Sequence, residues 1–283
     1  PATGPEAWSD WKQALVRELY RKALVALETG ETPARSDVAA RARQVETFEP
    51  ALAGRVEAVL GTLPPSYLEA TSVPDMVDEI RLLLDPPETA QARCRIDEGT
   101  EAGHAAVTVC VPDRPGTLAR TAGVLALHRV SVLRAHAYST TTGLALERFI
   151  VQPPSPAPWG ALRADLEAVY SGRLALDARL EKKAVEYRPS DGIGDVDVRV
   201  LQETSAHSSV IEVRTRDALG LLYAITAALS DLDIDIHVAK IDTLGERVVD
   251  VFYVRTAQGL KFDDDQAREV ERSIQHRVHR LLG

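Results

Sequence analysis

Apolar and polar residues alternate along 105–111, and the small apolar residues of 116–128 recur at helical spacing. Strand patterns follow at 130–138 and 144–151, then a helical pattern from about Trp159. The same order recurs at an offset of 104 residues, which carries Asp113 onto Asp217, Gly116 onto Gly220, Leu118 onto Leu222 and Val132 onto Ile236. After a one-residue gap, "ALERFIV" from Ala145 lies on "VVDVFYV" from Val248, so that Glu147 meets Asp250 and Phe149 meets Phe252. This is an internal repeat.

A further strand-like run precedes each copy, "ARCRID" (Ala92 to Asp97) and "DVDVRVL" (Asp195 to Leu201). Each module therefore reads as opening with its edge strand, in a hairpin with the strand that follows. Strand parity separates the two cysteines. Cys94 aligns with Val198 on the core face and Cys110 with Arg214 on the other, which disfavours a disulfide between them.

The first third differs in kind. Trp8, Trp11, Leu15 and Leu19 stand at helical spacing, and helical patterns continue through 35–49, 51–61 and 73–84. Pro64 and Pro65 interrupt them, Ser72 before Pro74 and Asp75 reads as an N-cap, and "DPPET" (Asp85 to Thr89) marks the boundary. The fold class is α+β: an all-α segment over 1–88, a first module with a helical linker over 89–188, and a second over 189–283.

Composition narrows the function. The 283 residues are 45% hydrophobic, 27% charged and 5% aromatic, the profile of a globular chain of about two domains. A net charge of -9 without any Lys/Arg-rich run argues against nucleic acid. No apolar run approaches the length of a membrane helix, and "PATGPEAWSD" lacks the plan of a signal peptide, so no membrane partner and a cytoplasmic location are expected. With Pro1 first and Met76 the only methionine, the chain is expected to be part of a longer or processed protein. Two cysteines form no metal-binding spacing, and reduced thiols are expected.

In each copy a strand ends at an Asp, turns through a Gly, and starts a helix whose free N–H groups carry partial positive charge. Gly116-Thr117-Leu118 or Gly220-Leu221-Leu222 could hold an α-carboxylate, and Asp113 or Asp217 an α-amino group. Spacing alone favours a plainer account, in which the acids cap helices and the glycines permit turns. In "DLDID", Asp231, Asp233 and Asp235 could gather a cation, but Leu127, Arg129 and Ser131 stand there in the first copy, and Asp235 and Ser131 could border a ligand instead. His276 and His279 lack a third ligand nearby and read as a solvated helical face.

"DRPGTLA" and "DALGLLY" resemble the strand-to-helix corner of ACT domains, small βαββαβ ferredoxin-like modules that sense amino acids. "ELYRKAL", "LPPSYL", "DRPGTLARTAGVLALH", "GRLALDARL" and the run "IEVRTRDALGLLYAITAALSDLDIDIHVAKIDTLGERVVDVFYV" together resemble the C-terminal part of the PII uridylyltransferase/uridylyl-removing family, from about Trp8 onward. Ala218-Leu219 in place of Arg-Pro, and Thr117 in place of Leu, depart from the pattern and put equal binding at the two corners in doubt.

The resemblance implies glutamine as effector, PII as partner of the parent enzyme, and ACT pairing within or between chains. It implies ligand contacts at Asp113, Arg114, Gly116, Thr117, Leu118, Ser131, Asp217, Gly220, Leu221, Leu222 and Asp235. The family's catalytic domains precede the matched region, and Mg is expected only there. Neither a Gly-Ser with paired Asp-x-Asp nor a His-Asp pair occurs here, so no catalysis is expected of this chain. Some relatives would transfer adenylyl instead of uridylyl. The other reading is a ligand-free assembly module.

Overall fold

The computed structural model describes residues 38–88, 91–98, 103–187, 193–202, 204–205, 207–244 and 247–282. The helix expected around Trp8 to Leu19 lies outside the described residues.

Helix α1 (Val38–Phe48) follows the expected pattern. The single helix expected over 51–61 is instead a 3-10 turn at Pro50–Leu52 and a short helix α2 (Val56–Leu60). Gly54 between them has φ +75°, outside the right-handed helical region, and its amide donates to Glu46 Oε1 at 2.8 Å. Pro64 and Pro65 start a helix as well as interrupting one: Pro65 is the first residue of α3 (Pro65–Ala70), where a missing N–H costs nothing. Helix α4 (Val73–Leu84) is capped as expected, Ser72 Oγ accepting from the Asp75 amide at 3.4 Å.

The first module contains β1 (Arg93–Asp97), β2 (Ala105–Pro112), α5 (Thr117–Leu127), β3 (Ser131–Ser139), β4 (Leu144–Gln152) and α6 (Trp159–Tyr170), followed by the linker helix α7 (Leu176–Tyr187). The second repeats it with β5 (Asp197–Leu201), β6 (Ser209–Arg216), α8 (Leu221–Asp231), β7 (Asp235–Leu244), β8 (Arg247–Arg255) and α9 (Asp264–Leu282). One antiparallel sheet runs β1-β2-β4-β3-β7-β8-β6-β5, so each module opens with its outer edge strand and the two join side by side through β3 and β7. At this seam His136 faces Lys240, and the 104-residue offset makes the two equivalent. Burial, then Lys240 and two arginines, pushes His136 down to about 4, so the seam holds a neutral imidazole at neutral pH.

The repeat reaches the backbone. Arg129 and Asp233, offset equivalents, both have positive φ, at 57° and 53°. The register also shifts between Val132 and Arg134 and between Ile236 and Val238. Helices α5 and α8 pack together over the seam, and one apolar core, with Phe149 and Phe252 fully buried at matching positions, runs beneath the helix layer of both modules. Burying each ring contributes roughly 1.5–3 kcal/mol.

The opposite face of the sheet is where α1–α4 pack. Ala42, Val45, Leu60, Tyr67 and Ile80 meet Cys110, Tyr138, Leu146 and Val238, and Tyr67 meets Tyr138 edge-on at 5.3 Å. Tyr67 donates to Glu79 Oε2 at 2.7 Å, and Arg148 reaches from β4 to Asp75 at 2.6 Å. The helical segment is thus a third layer on the sheet. Cys94 pairs with Val109 and packs towards the helix-side core, while Cys110 packs among α1–α4.

Candidate ligand pockets at the module seam

The chain from β2 into α5 turns at Asp113, whose amide donates to Gly143 O at 2.9 Å. Its carboxyl is hydrogen-bonded to Ser139, and the N-cap of α5 is Gly116, with φ +78° and no side chain to cap with. Burial raises Asp113 above the usual carboxylate range, the Ser139 bond opposing it. The Thr117 amide donates to Arg114 O at 3.0 Å, and the Thr117 hydroxyl accepts from Arg114 N–H at 3.1 Å and donates to Arg114 O at 2.6 Å. The first helical amide is therefore engaged, and an anion at this end would meet those that follow, from Leu118 onward.

The second corner repeats the geometry. Gly220 has φ +87°, the Leu221 amide donates to Ala218 O at 3.0 Å, and Asp217, raised by burial, accepts from the Ala218 amide.

Tertiary structure crosses the two corners. Asp113, Arg114, Gly116, Thr117 and Leu118 share a pocket with Asp235, which belongs to the second module. Asp217, Gly220, Leu221 and Leu222 share one with Ser131 of the first. All eleven residues singled out from the sequence fall in these two pockets, and each pocket is completed by the sister module. A Cβ on Gly116 would stand 2.6 Å from Ser230 Oγ of α8, which shows how close the modules approach.

Each pocket holds about 30 Å³, the share of one water molecule. A hollow of about 580 Å³ lies beside the first corner on the helix side, with Arg114, Arg120, Tyr170, Tyr223 and Arg277 among its walls.

Sequence reasoning missed the innermost polar groups. Glu147 of β4 is 1% exposed on the wall of the first pocket, and Asp250 of β8 is 1% exposed on that of the second. Burial pushes Glu147 up to about 8, a hydrogen bond with Thr121 opposing and Asp113 adding, and it raises Asp250 far above the carboxylate range with Asp217 and Asp242 adding. Glu147 Oε2 and Asp250 Oδ1 have no hydrogen-bond partner. The signal was an acid at the inward-facing position of an otherwise apolar strand, aligned in both copies.

Residues 105–156, which hold β2, α5, β3 and β4, match the family model of the ACT domain. The chain carries an ACT domain. Its second half repeats the same elements, so the architecture is α+β with tandem ferredoxin-like ACT modules behind an all-α segment. Nearly the whole chain is similar to the C-terminal part of bifunctional uridylyltransferase/uridylyl-removing enzymes. It is 32% identical to that of Azospirillum brasilense over 282 residues, 92% of this chain and 29% of that protein. It is 32% identical to that of Streptomyces coelicolor over 291 residues, 97% of this chain and 34% of that protein. The chain thus spans about a third of the length of these relatives. Aspartate kinase from Synechocystis aligns over 63% of this chain and 40% of its own at 11% identity and a TM-score of 0.19, too low to establish a common fold.

Asp231, Asp233 and Asp235 of the second module stand in three different settings. Asp231 ends α8 and pairs with Arg277 at 2.7 Å, Asp233 occupies the positive-φ turn, and Asp235 starts β7, so the three do not share one strand face. Among the described residues no group of three or more His, Cys, Asp or Glu could hold a metal ion. No helix among them is long and apolar enough to cross a membrane.

Proposed function

We propose that this chain is the amino-acid-sensing regulatory region of an enzyme that adds and removes a uridylyl or adenylyl group on the PII signalling protein, with glutamine as effector. One observation carries the reading: in both ACT modules the Asp-turn-Gly-helix corner forms a pocket whose far wall comes from the other module. A ligand in either pocket touches both modules, so its binding energy bears directly on how they are docked. An effector can shift an equilibrium only through such differential contacts, and a typical coupling of about 1–3 kcal/mol suffices. The layer α1–α4, tied to β4 through Arg148 and Asp75, would pass that docking to the catalytic domains of the parent enzyme.

The second reading, a ligand-free assembly unit, is favoured by the 30 Å³ size of both pockets, which admits no amino acid unless the seam opens. Calorimetric titration with L-glutamine, using L-glutamate and L-asparagine as controls, separates the two. A glutamine-selective heat with defined stoichiometry supports the sensor and counts its working corners. No heat up to millimolar ligand supports the assembly unit.

A further inference from the structure

On the helix-facing side of β4, between Ala145 and Phe149, a carboxylic acid interrupts a row of buried apolar side chains. A buried polar atom without a partner costs about 1–3 kcal/mol, and an apolar residue of similar volume would avoid that cost. Glu147 is nevertheless buried with Oε2 unbonded on the pocket wall, and the sister module places Asp250 likewise, with Oδ1 unbonded. Two copies of an acid with one unsatisfied oxygen, each at a glycine corner, point to a partner that arrives from outside the chain.

The groups around Glu147 define that partner. Asp113 comes from the corner and Asp235 from β7, with His237 near both. Tyr170 of α6 and Arg120 of α5 lie on the helix side, Tyr170 hydroxyl at 2.8 Å from Thr121 Oγ1. Three carboxyl groups on one small pocket disfavour a ligand bearing a side-chain carboxylate. With Thr121 bonded to the carboxyl, Oε2 is the oxygen left to meet a ligand, and a neutral carboxyl oxygen there suits an uncharged carboxamide better than a carboxylate.

Resting on the reading of this pocket as an amino-acid site, we propose that Glu147 is its specificity-determining residue, pairing through its unbonded Oε2 with the side-chain carboxamide of the ligand and selecting glutamine over glutamate and over apolar isosteres. Burial supplies the protonation state this needs, holding Glu147 neutral up to about pH 8. Asp250, one methylene shorter, reaches less far into the second pocket, so the two corners differ in preference.

The test is titration of the whole chain, wild type, Glu147→Gln and Glu147→Met, with L-glutamine, L-glutamate and L-methionine, with circular dichroism to confirm folding. Wild type is expected to prefer glutamine to methionine at least about tenfold, as a site built to hydrogen-bond its ligand rejects one that lacks the groups. Glu147→Met abolishes that preference, while Glu147→Gln keeps glutamine affinity within about threefold of wild type. From pH 7 to pH 9 the neutral fraction of Glu147 falls from about 0.9 to about 0.1, so wild-type affinity drops about tenfold more than that of Glu147→Gln. The glutamine-titrating groups and the other pocket residues are common to both proteins and cancel.

A wild type that binds glutamine, with Glu147→Met retaining the preference or with both proteins following one pH profile, overturns the role of Glu147 and leaves the sensor standing. A wild type that binds none of the three removes the sensor reading, and this role with it. If Glu147→Met does not fold, the pH comparison decides alone.

Discussion

Replacing Gly116 by alanine tests whether the two modules are docked as closely as the pockets require. Two costs add. Gly116 has φ +78°, a conformation that costs an L-residue roughly 1–2 kcal/mol. The new methyl would also stand 2.6 Å from Ser230 Oγ across the seam, and relieving such an overlap costs about 1–3 kcal/mol. The lower entropy of the unfolded chain returns somewhat under 1 kcal/mol, leaving a net loss of about 1–4 kcal/mol. A double-mutant cycle with Ser230→Ala separates the parts, because removing Oγ relieves the contact and leaves the backbone strain. The expected coupling is at least 1 kcal/mol, read from urea unfolding midpoints of the two single variants and the double. Strict additivity, within about 0.5 kcal/mol, refutes a fixed contact between Gly116 and Ser230 Oγ and shows that the hydroxyl turns aside at little cost.

Two further predictions follow from burial. Glu147 has a folded pKa of about 8 against a reference of 4.5, so the folded state binds its proton more tightly than the unfolded state and stability declines as pH rises between those values. Glu147→Gln, neutral throughout, is expected to match wild type near pH 4 and to exceed it by up to about 5 kcal/mol by pH 9 in urea unfolding; a difference that stays constant with pH contradicts a buried neutral acid. Burial pushes Cys94 up to about 11 and Cys110 up to about 12, so a thiolate-specific reagent at pH 8 is expected to label the native chain slowly and both thiols rapidly in denaturant. Fast labelling of Cys110 in the native protein would show that α1–α4 do not stay on the sheet.

Much of the fold is written locally. The alternation of Val107, Val109 and Val111, the small apolar helix before Val130 and the 104-residue repeat fix two like modules, because side-chain period and turn residues act over a few positions. The repeat even fixes details that no propensity names, such as the positive φ at Arg129 and Asp233. Local reading failed at 51–61, where a glycine without turn-forming neighbours breaks the helix. It could mark Ser131 and Asp235 as possible ligand borders, yet not the corner each one serves.

That assignment belongs to tertiary structure alone. Pairing of β3 with β7 carries Asp235 to the corner of Asp113 and Ser131 to that of Asp217, contacts between residues about a hundred positions apart that no sequence period encodes. The same holds for Glu147 and Asp250. The chain shows two aligned acids on apolar strands, and only the packing of α5 and α8 over the sheet decides that each is dry, keeps one oxygen without a partner and lies on a pocket wall. Burial is a property of everything around a residue, so it exists only once both modules and the helix layer have come together.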